Sequence, residues 1–102
     1  MLPEIEQKLP EIAALCRRFG VRRLELFGSA AGDRFDPKRS DLDLLVEIEP
    51  PDGMSYSDAY FEFREELAHR FGRTVDLVAL GSLRNPYFIE GIAPSRHLLY
   101  AA

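Results

Sequence analysis

The chain has 102 residues, 46% of them hydrophobic and 29% charged, with a formal net charge of −4. This is the make-up of a globular chain of one domain's size, expected over residues 1–102. No apolar run approaches the ~18–20 residues of a membrane span. Residues 1–10 also lack the basic start and apolar middle of a secretory leader, so a cytoplasmic protein is expected. The lone Cys16 excludes an internal disulfide and a cysteine-based zinc site. The acidic balance argues against broad binding to duplex nucleic acid, although Arg22, Arg23, Arg34, Lys38 and Arg39 leave room for a local basic rim.

In chain order, a first helix is expected over about residues 10–19. Pro10 suits its first turn, Gly20 its stop, and Ile12, Leu15, Cys16 and Phe19 fall on one stripe. That spacing makes Cys16 a core residue rather than a reactive one. Residues 21–27 read as a strand with Leu24 and Leu26 on one face, ending at Gly28-Ser29. Residues 30–39 read as a short helical turn and a loop, since Gly32, Asp33, Asp36 and Pro37 favour turns.

Residues 41–48 form the clearest strand, with Leu42, Leu44, Val46 and Ile48 on one face and the Pro50-Pro51-Asp52-Gly53 turn closing it. A second helix follows over about 57–71, with Tyr60, Phe63, Leu67 and Phe71 as its apolar stripe and Gly72 as its stop. A third strand (74–80), a short helix (85–92) and a short edge strand (97–100) complete the set. The expected fold class is α+β: a small mixed β-sheet with helices packed on one face.

Asp41 and Asp43 are two apart on a strand, so both project from the face opposite Leu42 and Leu44. Asp76 stands in the next strand between Val75 and Leu77, again an acid inside an apolar run. If those strands are neighbours, three carboxylates converge. Their mutual repulsion is relieved by a hard cation, and Mg²⁺ is the ion that prefers such oxygen donors beside substrate phosphates. Each acid alone is more readily a solvated strand end or a loop cap. Gly28-Ser29, at a strand end that opens a helical turn, presents free backbone N–H groups, and Gly28 allows a phosphate to approach closely.

At these residues the chain resembles the polymerase-β-like nucleotidyltransferase superfamily, and within it the minimal nucleotidyltransferases. The resemblance lies in Leu26-Phe27-Gly28-Ser29-Ala30-Ala31, in Ser40-Asp41-Leu42-Asp43-Leu44-Leu45-Val46 and in Val75-Asp76-Leu77-Val78, and Leu83-Arg84-Asn85-Pro86-Tyr87 looks like the tail of the group. It implies the polymerase-β-like fold, ATP as substrate, and two Mg²⁺ ions held by Asp41 and Asp43 with Asp76 on the second. It also implies that Gly28 and Ser29 hold the terminal phosphates. Asp76 would in addition help to activate the acceptor hydroxyl.

One departure stands out. Many members carry an Arg directly after the Gly-Ser-x-x step, where this chain has Gly32 and Asp33, so Arg34 or Arg39 is expected to supply that charge. The larger enzymes of the superfamily add a helical acceptor domain, which a chain of this length is expected to lack. The resemblance therefore implies a partner: an all-helical HEPN ribonuclease toxin, silenced by transfer of AMP to a tyrosine hydroxyl. Two other readings remain open, a non-catalytic module that masks its partner by contact and an enzyme acting on a small molecule such as an aminoglycoside. Self-association is also left open. His69 and His97 receive no role, and Tyr60, Phe61 and Phe63 are read as core.

Overall fold

The computed structural model describes residues 3–27, 42–79 and 96–102. Two helices, α1 (Pro3–Gln7) and α2 (Leu9–Phe19), lead into strand β1 (Val21–Phe27). Strand β2 (Leu42–Ile48), helix α3 (Tyr56–Phe71) and strands β3 (Val75–Ala79) and β4 (His97–Ala101) follow. The sheet order is β3-β2-β1-β4, with β2 and β3 parallel and both other pairs antiparallel. The expected mixed sheet is therefore present, and residues 97–100 do belong to an edge strand. Helix α1 was not expected. It adds Ile5, 1% exposed, to the core. The expected turn and loop at 30–39 and helix at 85–92 lie outside the described residues.

The helix boundaries have local causes. Pro10 sits in the first turn of α2, where a missing N–H is harmless. The Ser55 hydroxyl accepts from the Asp58 N–H at 3.1 Å and caps α3, setting its start at Tyr56. Gly20 ends α2 at φ 72°, and a Cβ there would stand 2.0 Å from the Glu49 carbonyl oxygen. The Gly20 carbonyl accepts from the Glu49 N–H at 2.8 Å, so the turn leaving α2 is locked against the end of β2.

Helices α2 and α3 cover one face of the sheet. Leu24, Leu26, Leu42, Leu44, Val46, Val75 and Leu77 meet Ile12, Leu15, Cys16, Phe19, Ala59, Phe63 and Leu67 there. Phe19 and Phe63 pack edge to face with ring centroids 6.0 Å apart. Cys16 is fully buried in this layer as its spacing predicted, and burial pushes its thiol pKa up to about 12 against a weaker lowering influence of Arg17.

The stripe of α3 departs from expectation. Ala59, Phe63 and Leu67 are buried, while Tyr60 and Phe71 are half-buried and Phe61 is 52% exposed. Two residues along a helix is a rotation of about 200°, which turns Phe61 away once Phe63 faces the core. Of the three aromatics read as core, only Phe63 is fully enclosed. His69 and His97 are exposed.

Candidate functional site

The parallel pairing of β2 with β3 sets Leu42 opposite Val75, Asp43 opposite Asp76 and Leu44 opposite Leu77. Residues paired across a ladder share a face, and neighbouring strands run about 5 Å apart, so the two carboxylates stand side by side. The apolar neighbours fix this arrangement. Leu42, Leu44, Val75 and Leu77 are all buried in the helix-covered core, and a one-residue slip would drive an aspartate into it. Asp43 is half-buried and Asp76 exposed.

On the other side of β2, Phe27 is the cross-strand partner of Asp43. The end of β1 thus stands abreast of the starts of β2 and β3. Gly28, Ser29, Arg34, Arg39 and Asp41 themselves lie outside the described residues. Among the described residues, no group of three or more His, Cys, Asp or Glu side chains forms a metal site. Asp43 and Asp76 nonetheless fit a hard divalent cation. Both are oxygen donors, both point to the face away from the helices, and one opens to solvent.

The same face holds a charged cluster that the sequence pattern does not reveal. Glu25, two residues before Phe27, is 5% exposed. Arg23 donates to its Oε1 through Nε at 3.0 Å and Nη2 at 2.9 Å, and Arg96 donates to its Oε2 through Nε at 2.8 Å and also through Nη2. Both carboxylate oxygens are thereby satisfied, as a buried charge requires. The pair Glu25–Arg96 joins the approach to β4 to the centre of the sheet. The one visible cue was the charge of Glu25 between Leu24 and Leu26; its arginine partners are set by a strand pairing that no local pattern encodes.

The chain matches the family described as nucleotidyltransferase domain over residues 12–99. It belongs to that family. Two proteins of Methanocaldococcus jannaschii that carry protein adenylyltransferase as a provisional name are similar to it. MJ0128 is 35% identical over 79 residues, 76% of each chain, and MJ1379 is 33% identical over 93 residues, 89% of this chain and 90% of the other. Among solved structures, one named as a minimal nucleotidyltransferase superposes with a TM-score of 0.67 at 30% identity, covering 91% of this chain and 90% of that one. A toxin–antitoxin structure with AMP-PNP superposes with a TM-score of 0.65 at 25% identity, covering 99% and 75%. A Shewanella oneidensis complex of a tri-AMPylated HEPN toxin with an MNT antitoxin gives a TM-score of 0.62 at 22% identity, covering 96% and 73%.

The polymerase-β-like nucleotidyltransferase fold and the resemblance to minimal nucleotidyltransferases are thus established, and the chain is a nucleotidyltransferase. No helix among the described residues is long and apolar enough to cross a membrane.

Proposed function

We propose that this nucleotidyltransferase transfers AMP from ATP, with Mg²⁺, to a tyrosine hydroxyl of a HEPN-family toxin, and so acts as an antitoxin in the cytoplasm. The observation that carries the reading is the in-register pair Asp43 and Asp76 beside the end of β1. The provisional name of the M. jannaschii relatives supports protein as the acceptor, and the AMP-PNP bound in one structural relative supports an adenine nucleotide as the donor. The HEPN partner is taken from the toxin–antitoxin complexes that share the fold.

In this reading Asp41 and Asp43 would hold the metal ions, Asp76 would contribute to the second, and Gly28 and Ser29 would hold the terminal phosphates with Arg34 or Arg39. The ions supply charge neutralisation at the phosphates and a lowered pKa for the attacking hydroxyl. The acceptor oxygen bonds to the α-phosphorus, the bond from that phosphorus to the β-phosphate oxygen breaks, and pyrophosphate leaves. The acceptor's proton passes toward exposed Asp76 and on to solvent. Alignment is the protein's main contribution: the strand register fixes Asp43 against Asp76, so the donor and acceptor sides of the reaction meet at one sheet edge.

The test uses ATP labelled at the α-phosphate, Mg²⁺ and a HEPN-family toxin. Label should appear on the HEPN protein, pyrophosphate should be released, and Asp43→Asn should abolish both. Label passing only to an aminoglycoside would favour the small-molecule reading, and a silenced toxin without label would favour masking by contact.

A further inference from the structure

Helix α3 runs back along the outer edge of β3, and two open pockets between them, separated by the contact of Tyr60 with Leu77, together form a shallow trough. At one end about 370 Å³ is lined by Arg64, Glu65 and Ala68 of α3 with Arg73, Thr74 and Asp76 at the start of the strand. At the other end about 350 Å³ lies between Tyr56, Tyr60 and Phe61 of α3 and Leu77 and Val78 of β3. Three large hydrophobic residues are exposed among the described ones, and two of them, Tyr56 at 45% and Phe61 at 52%, line this trough. The Arg64 guanidinium lies 5.3 Å from the Phe61 ring centroid and links the two ends.

We infer that this trough seats the segment of the partner protein that carries the accepting hydroxyl, an apolar or aromatic side chain against Tyr56 and Phe61 and a carboxylate toward Arg64. The inference rests on the transfer reading above and adds where the acceptor lies. Continuity with the site argues for this occupant. Asp76, the register partner of Asp43, also lines this end of the trough, so a segment lying along the outer edge of β3 reaches the strand position that carries the candidate carboxylate. Val75 to Ala79 extend over about 13 Å, enough for several residues of an acceptor segment. The charge agrees. Among the described residues the ion pair of Arg64 is a 3.5 Å contact to Glu65, with side-chain exposures of 39% and 74%, and such a surface pair holds an arginine weakly.

The mode of seating follows from the ladder. The Leu42 N–H bonds the Thr74 carbonyl at 3.1 Å, so in the alternation of a parallel pair the main-chain groups of Thr74, Asp76 and Val78 face β2 while those of Val75 and Leu77 face the outer edge. The Tyr60 hydroxyl donates to the outward Leu77 carbonyl. Mid-edge pairing with an added strand is thereby blocked, and side chains rather than main-chain bonds must hold the segment.

The experiment compares the parent chain with the double variant Tyr56→Ala/Phe61→Ala and with Arg64→Glu. It measures binding of a HEPN-family toxin without nucleotide, AMP transfer against HEPN concentration, ATP affinity, and thermal melting to verify folding. Each variant should weaken HEPN binding and raise the KM for that protein about tenfold or more, the loss typical of truncated aromatic or arginine anchors, with ATP affinity changed less than twofold. Folded variants that bind and modify the HEPN protein like the parent overturn the proposal. A parent that binds without transferring sinks the transfer reading, while the trough is still judged by its binding loss; a parent that does not bind sinks both.

Discussion

The two faces of this sheet are made from the same strands, yet they do opposite work. On the helix-covered face β1, β2 and β3 present aliphatic side chains that are almost wholly enclosed, such as Leu42, Leu44 and Val46. On the other face the intervening positions hold Asp43, Asp76 and the Arg23–Glu25–Arg96 cluster around two buried apolar residues, Phe27 and Leu45. Alternation lets one strand serve both purposes, because a period of two separates what holds the fold from what meets a substrate. The lesson is that the aliphatic face aims the acids: its burial fixes the register that pairs Asp43 with Asp76.

The comparison breaks most visibly at Asp43. Under the proposed function Asp43→Asn should lower transfer roughly a thousandfold or more, since several kcal/mol of charge stabilisation disappears. Its melting temperature should stay near that of the parent, because the side chain lies off the core. Asp76→Asn should separate binding from chemistry. With Asp41 and Asp43 intact, ATP affinity should change little while turnover falls about a hundredfold, since the work of Asp76 is needed near the transition state. A variant that binds ATP normally and transfers at full rate would leave Asp76 a strand residue only.

Substitutions on the two faces should also differ in what they damage. Leu44→Ala removes a side chain 2% exposed, and should cost about 3 kcal/mol of unfolding free energy by chemical denaturation. Glu25→Ala leaves two guanidiniums facing each other and should cost about 2 kcal/mol, below the limit for fully buried pairs because Arg23 and Arg96 reach solvent. If Leu44→Ala lowered transfer without lowering stability, the division of labour between the faces would be wrong.

Much of this division was legible in the sequence. Leu42, Leu44, Val46 and Ile48 announced a half-buried strand, and Asp43 necessarily took the other face. Gly20 and Gly72 marked both helix ends, and each is in the left-handed region at φ 72° and 63°. What escaped was of two kinds. Helix α1 forms without a strong periodic signal, because one residue, Ile5, docks it into a core built by distant elements. The trough and the Glu25 cluster arise from tertiary pairing, β3 against α3 and β4 against β1, and neither spacing nor propensity encodes which strands become neighbours. That β2 and β3 are neighbours was only a condition for the carboxylates to converge, and the parallel pairing that meets it is not readable from the residues themselves.

The dryness of the helix-covered face can be tested through Cys16. Its thiol is raised from 9.0 to about 12, chiefly by burial and against a lowering influence of Arg17. In the folded chain the thiol therefore stays protonated at pH values where the unfolded chain would ionise it. For an acid whose folded pKa is raised, the contribution is fully present below the unfolded value, declines from pH 9 upward and is lost by about pH 12, because the unfolded state gains by releasing the proton. The loss amounts to about 1 kcal/mol by pH 10. Urea titrations of the parent and of Cys16→Ala at pH 8, 9 and 10 isolate it. The variant loses packing at every pH, but its stability should fall less steeply above pH 9, so the gap between the two proteins narrows as pH rises. Thiol-labelling reagents should react with the parent near pH 8 only as fast as the chain opens. A gap that stayed constant across the range, together with rapid labelling of the folded chain, would mean that solvent reaches this layer and that the two faces differ less than their side chains suggest.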